Sequence, residues 1–156
     1  MPDFVALDIE LSNPDLSSVC QIALVTFANS QAVNTWETIV NPQDYFDPLF
    51  VALHGIDELE AVGFPTLATL IDELRQRLTG KTVLTHTAFS RIALLRALER
   101  RSLPAPVCRW LDSARVARRT WHDFSRVGFA REKLATALGI QFESRRVAED
   151  ARVAGE

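Results

Sequence analysis

Two carboxylates, Asp8 and Glu10, end a short apolar run, Phe4-Val5-Ala6-Leu7. Four apolar residues in a row read as a strand buried on both faces. In an extended strand, residues i and i+2 project to the same side, so the two acids aim together. Like charges that close repel, and burial raises the cost unless a proton or a cation intervenes. A hard divalent cation with oxygen ligands, such as Mg²⁺, is the usual partner. Taken alone, the pair also fits a strand that simply ends in solvent, so the elements around it carry the decision.

Those elements belong to a chain of 156 residues, a length that predicts one domain, 1–156, with a real core. No run of about 18 apolar residues is present, which argues against a transmembrane helix. Met1-Pro2-Asp3 lacks the basic start of a signal peptide. Cys20 and Cys108 are too few and too far apart for a disulfide framework or a zinc cluster, and a cytoplasmic location is expected. The net charge of −3 conceals an asymmetry. Residues 1–80 hold two basic and twelve acidic residues, whereas residues 81–156 hold fifteen basic and eight acidic. An acidic pocket beside a basic rim is what a metal-dependent enzyme acting on a polyanion needs. The alternative is that the arginines merely solvate amphipathic helices.

Val19 to Phe27 and Ala32 to Val40 read as two strands of an antiparallel hairpin, joined at Ala28-Asn29-Ser30-Gln31 and stopped by Asn41-Pro42. Short helical pieces are expected at 49–54 and 57–62. Thr66 predicts a helix N-cap, and Leu67, Leu70, Ile71, Leu74 and Leu78 follow at helical spacing up to Gly80. Lys81 to Thr85 reads as a buried strand, Phe89 to Arg101 as a helix and Val107 to Leu111 as a strand. Helices are expected at Ala114–Trp121, at Ala130–Leu138 and from Val147 to Glu156, the last without a stop signal, as in a truncated domain. The order predicts an α/β fold: a mixed sheet of antiparallel and parallel strands with helices packed on it.

The motifs in this order resemble the DEDD-type 3′–5′ exonucleases of the proofreading-subunit (DEDDh) kind. Phe4 to Glu10 is similar to the first motif, Leu53-His54-Gly55-Ile56 to the His-Gly-Ile segment and Thr85 to Arg91 to the second motif. Arg109 to Arg115 is similar to the fifth-strand region, and Glu149-Asp150-Ala151-Arg152 to the third motif. The resemblance covers essentially the whole chain. It implies an RNase H-like fold with a five-stranded mixed sheet, and two-metal hydrolysis with Mg²⁺ or Mn²⁺. By resemblance the catalytic and metal-holding roles fall on Asp8, Glu10 and Asp150. His54, Gly55 and Ile56 would line the pocket for the terminal nucleotide, with Leu11, which replaces a common Thr, and with His86 and Phe89 of the second motif.

Two positions depart from the family pattern. The second motif ends in an Asp, and here the residue is Ser90, a weaker Mg²⁺ ligand. The third motif has a His five residues before its Asp as general base, and here it is Arg145, which cannot give up its proton. Losing a positioned base costs about 10²–10⁴ in rate. Arg145 can still grip a phosphate bidentately. The implied protein binds single-stranded or 3′-terminal DNA or RNA, holds one metal well and a second weakly, and hydrolyses slowly. A non-catalytic nucleic-acid-binding or regulatory module is the alternative, with an endonuclease or nucleotide phosphohydrolase behind it. No membrane partner is expected; a homodimer or a polymerase or repair partner remains open.

Overall fold

A computed structural model describes residues 3–122, 124, 128–141, 143 and 146–156. Arg145 therefore lies outside the described residues, as do Met1 and Pro2. Five strands form one sheet in the order β3-β2-β1-β4-β5. The first strand, β1 (Phe4–Leu11), pairs antiparallel with β2 (Val19–Ala28), which pairs antiparallel with β3 (Gln31–Ile39). On its other side β1 runs parallel to β4 (Thr82–Thr85), and β4 parallel to β5 (Arg109–Asp112). The mixed sheet expected from the hairpin and the β-α-β pattern is present.

The strand carrying the acids does not stop at them. Pairing with β2 continues through Asp8↔Ala23 and Glu10↔Gln21 to Leu11↔Val19, because β2 is ten residues long and supplies a partner throughout. The parallel pairing with β4 ends earlier, at Ala6↔Leu84. Asp8 and Glu10 thus emerge beyond the carboxyl end of β4, the place where open α/β sheets bind ligands.

The alternation along β1 divides it cleanly. Val5, Leu7, Ile9 and Leu11 enter the larger core with α3 (Leu67–Leu78) and α4 (Phe89–Arg100). Ala6 lies on the other face with Ala23, Val25 and Phe27 against Val147 and Ala151 of α7 (Val147–Gly155). Asp8 and Glu10 share this second face, as their spacing requires. On α4, Ser90, Ala93, Leu94, Ala97 and Leu98 are buried, a spacing that makes one helical face. Val147, Asp150 and Ala151 do the same on α7. The remaining helices are α1 (Pro48–His54), α2 (Glu58–Ala61), α5 (Ser113–Thr120) and α6 (Arg131–Leu138). Among the described residues no helix is long and apolar enough to cross a membrane.

Candidate active site

Asp8, Glu10, Ser90 and Asp150 line one cavity of about 560 Å³. β1 supplies the first two, the opening turn of α4 supplies Ser90, and α7 supplies Asp150. Ser90 and Asp150, 82 and 142 positions from Asp8 along the chain, meet it because β4 ends short and lets α4 start over the end of β1. Ser90 is buried and donates its hydroxyl to Asp8 Oδ1 at 2.7 Å. A neutral hydroxyl thus occupies the second-motif position and spends its hydrogen bond on the first-motif carboxylate.

The residue that dominates this cavity is Arg131, the first residue of α6, which the sequence reading did not single out. Its guanidinium donates to Asp8 Oδ2 at 2.8 Å and reaches Asp150 Oδ2 at 2.8 Å. The three side chains are only 18% (Arg131), 15% (Asp8) and 6% (Asp150) exposed, so the triad is desolvated and its charges interact strongly. The signal for Arg131 lies in its helix. α6 opens with a cation, against the helix dipole, and its N-cap, Ala130, makes no capping bond. A start that breaks both local rules implies a tertiary reason.

Four carboxylates (Asp8, Glu10, Glu132 and Asp150) and two guanidinium groups (Arg118 and Arg131) line the cavity, leaving it two negative charges from neutral when all are ionised. Burial, with the nearby Asp8 and Asp150, pushes the Glu10 carboxyl up to about 7. Burial also pushes Asp150 up to about 6, with Arg131 opposing and Asp8 adding to the rise. Asp150 Oδ1 is buried with no hydrogen-bond partner among the described residues, and so is Arg131 Nε. Hard oxygen donors, a deficit of two positive charges and an orphaned carboxylate oxygen fit one divalent cation. Yet among the described residues no group of three or more His, Cys, Asp or Glu is laid out to hold a metal ion. Asp8, Glu10 and Asp150, the expected metal set, line the same cavity, and Arg131 takes the position between Asp8 and Asp150.

The histidines have other employment. His86 borders the cavity, with Nε2 3.0 Å from the Phe129 carbonyl and Nδ1 2.9 Å from Ser113 Oγ. A carbonyl only accepts, so Nε2 carries the proton and Nδ1 takes the Ser113 hydroxyl. Burial lowers its pKa further, and it is a neutral strut that places Phe129 beside Arg131. His54 donates from Nε2 to the Leu11 carbonyl at 3.0 Å, while Nδ1 accepts from the Ile56 N–H at 3.1 Å. It ties the end of α1 to the end of β1. Gly55 stands after it at φ 83°, a left-handed turn that suits glycine. Leu11 and Ile56 are buried, so the side chains of this segment pack inward, and none of Leu11, His54, Gly55 and Ile56 lines the carboxylate cavity. Phe89 does line it and is 43% exposed. Among the described residues no histidine in the cavity has a free ring nitrogen.

Comparison with known proteins agrees with this architecture. No protein-family model matches the chain. The chain superimposes on exonuclease X, solved with 5′-overhanging duplex DNA, with a TM-score of 0.73 and 20% identity, covering 97% of this chain and 87% of that one. The nuclease domain of 3′hExo, a DEDDh family member bound to rAMP, gives 0.78 and 16% identity, covering 99% and 90%. Exonuclease I gives 0.83 and 14%, covering 99% of this chain and 39% of that one. In sequence the chain is 25% identical over 158 residues to the PolC-type DNA polymerase III of Caldanaerobacter subterraneus subsp. tengcongensis. That match takes in 99% of this chain but only 11% of the polymerase. The architecture is the RNase H-like α/β fold. Within that class, the fold is shared with 3′hExo, a DEDDh family member.

Proposed function

We propose that this chain is a 3′–5′ exonuclease-type domain, residues 1–156, that binds 3′ ends of DNA or RNA and hydrolyses them slowly. The observation that carries the reading is the convergence of Asp8, Glu10 and Asp150 at the carboxyl ends of the parallel strands, two charges from neutral. Asp8, Glu10 and Asp150 would hold one Mg²⁺ or Mn²⁺, with Arg131 displaced. The ion would supply charge neutralisation at the scissile phosphate and a more acidic water. Arg131, once released, suits a phosphate oxygen, where a guanidinium binds in a fork. Fold neighbours solved with duplex DNA, with a dT13 oligonucleotide and with rAMP support a nucleic-acid ligand of either sugar. The similarity to a polymerase supports a polymerase or repair assembly as partner. The two free cysteines, Cys20 and Cys108, suit a reducing cytoplasm.

Slow turnover follows from the cavity's chemistry. Ser90 offers a hydroxyl instead of a further carboxylate, and both nitrogens of His86 are engaged, so it is not a spare base. These same features favour a second reading, a nucleic-acid-binding module without catalysis. A digest of a 5′-labelled oligonucleotide with Mn²⁺ separates them: a ladder shortening stepwise from the 3′ end supports the exonuclease, and internal cuts would replace it with an endonuclease. The double change Ser90→Asp with Arg145→His should raise turnover at least tenfold, given the 10²–10⁴ carried by a positioned base. No gain would favour the binding module.

A further inference from the structure

A second cleft, of about 270 Å³, opens beside the carboxylate cavity at the carboxyl ends of β4 and β5. Thr87 lines both, so the two are contiguous. Three arginines converge on the cleft: Arg91 from α4, and Arg115 and Arg119 from α5. Arg115 and Arg119 are four residues apart and share a helix face, where like charges repel. No guanidinium of the three makes a hydrogen bond or ion pair among the described residues. The carboxylate in the lining, Asp112, accepts the Arg115 backbone N–H as the N-cap of α5.

Several other arginines of the fold are paired. Arg77 pairs with Glu73, Arg100 with Asp15 and Asp44, and Arg152 with Glu149. A cluster that stays uncompensated costs self-repulsion, and an anion relieves it. Arg118, on the same helix, faces the carboxylate cavity, so α5 presents guanidinium groups to both openings. Trp110 adds an aromatic wall to the cleft.

We infer that the Arg91–Arg115–Arg119 cleft binds the phosphodiester backbone of a nucleic-acid strand whose 3′ end occupies the carboxylate cavity. The inference rests on the nuclease reading above and extends it to a site that grips the strand beyond the terminal nucleotide. Contiguity with the carboxylate cavity favours a nucleic acid over an acidic protein.

Each single-strand phosphate contact contributes about 0.7 to the slope of log affinity against log salt. Fluorescence anisotropy of a labelled oligothymidylate of about 12 nucleotides, in EDTA to prevent cleavage, reads that slope. The double variant Arg115→Ala/Arg119→Ala changes two exposed side chains. Its slope should be shallower by about 1.4, so that wild type loses about 7-fold more affinity than the variant between about 50 and 200 mM salt. The charge-matched control Arg75→Ala/Arg96→Ala should keep the wild-type slope. Equal slopes in wild type and the cleft variant, or an equal drop in the control, would overturn the inference while leaving the nuclease reading intact. Full competition by a nucleoside monophosphate would overturn it in favour of a mononucleotide site, and full competition by polyglutamate in favour of an acidic protein. No binding by wild type would overturn both this inference and the reading beneath it.

Discussion

Arg131 sets the electrostatics of the candidate active site. Its guanidinium spans Asp8 and Asp150, and its removal leaves both buried carboxylates without their ion-pair partner. Breaking one partner out of a buried ion pair costs several kcal/mol, so Arg131→Gln should lower metal-free stability by roughly 3 kcal/mol. Mn²⁺ at about 100 times its Kd should return about 2.7 kcal/mol. Urea melts with EDTA and with Mn²⁺ read both numbers, and calorimetry should show tighter Mn²⁺ binding by the variant than by wild type. Equal Mn²⁺ affinity in the two proteins would mean that Arg131 and the ion do not compete. The pairing of Asp8 with Glu10 was legible from spacing alone, because the period of a strand is two. Arg131 was not, because the guanidinium reaches Asp8 across 123 positions and only tertiary packing brings it there.

The helices divide by their starts. α1, α2, α3 and α5 begin at Asp47, Asp57, Thr66 and Asp112, each accepting a backbone N–H as a cap should. α4, α6 and α7 begin at Ala88, Ala130 and Arg146, without a side-chain cap. The three uncapped helices are the ones that bring Ser90, Arg131 and Asp150 to the cavity. Hydrophobic periodicity located α4, α6 and α7 as well as α3, although no capping side chain marks where those three begin. The apolar run Phe4–Leu7 marked only the first half of β1: strand length depends on the partner, and pairing with β2 carries β1 on to Leu11↔Val19. α7 is also held by a close fit. A Cβ on Gly155 would lie 2.3 Å from Cε2 of Phe27, whose ring stacks on Phe4 at 4.7 Å. Gly155→Ala should cost about 1–3 kcal/mol by thermal melt and shift the helix that carries Asp150. An unchanged Tm would show that the end of α7 does not bear on the sheet.

Across the whole molecule, the acidic first half and the basic second half interleave at one end of the sheet. β1 brings Asp8 and Glu10, and the later helices bring the arginines. The crowding of carboxylates has a consequence for stability against pH. Glu10 titrates near 7 instead of 4.5, and Asp150 near 6 instead of 3.8. The folded chain therefore binds more protons than the unfolded chain between about pH 4 and 7, and their contribution to stability falls as pH rises through that window. Glu10→Gln should make the metal-free protein more stable than wild type above pH 7, by roughly 1–2 kcal/mol after allowing for solvent screening, and should confer no advantage at pH 4. Denaturant melts across that range provide the check, and an advantage independent of pH would rule out the carboxyl as its source.

The central claim is that the cavity around Asp8 acts on the 3′ ends of nucleic acids. Incubating a 3′-labelled single strand with Mn²⁺ and either wild type or Asp8→Ala, and following release and retention of label together, tests it most directly. The account predicts slow release of labelled nucleoside monophosphate by wild type, none by Asp8→Ala, and binding by both. Neither binding nor cleavage by wild type, or cleavage that survives Asp8→Ala, would contradict it.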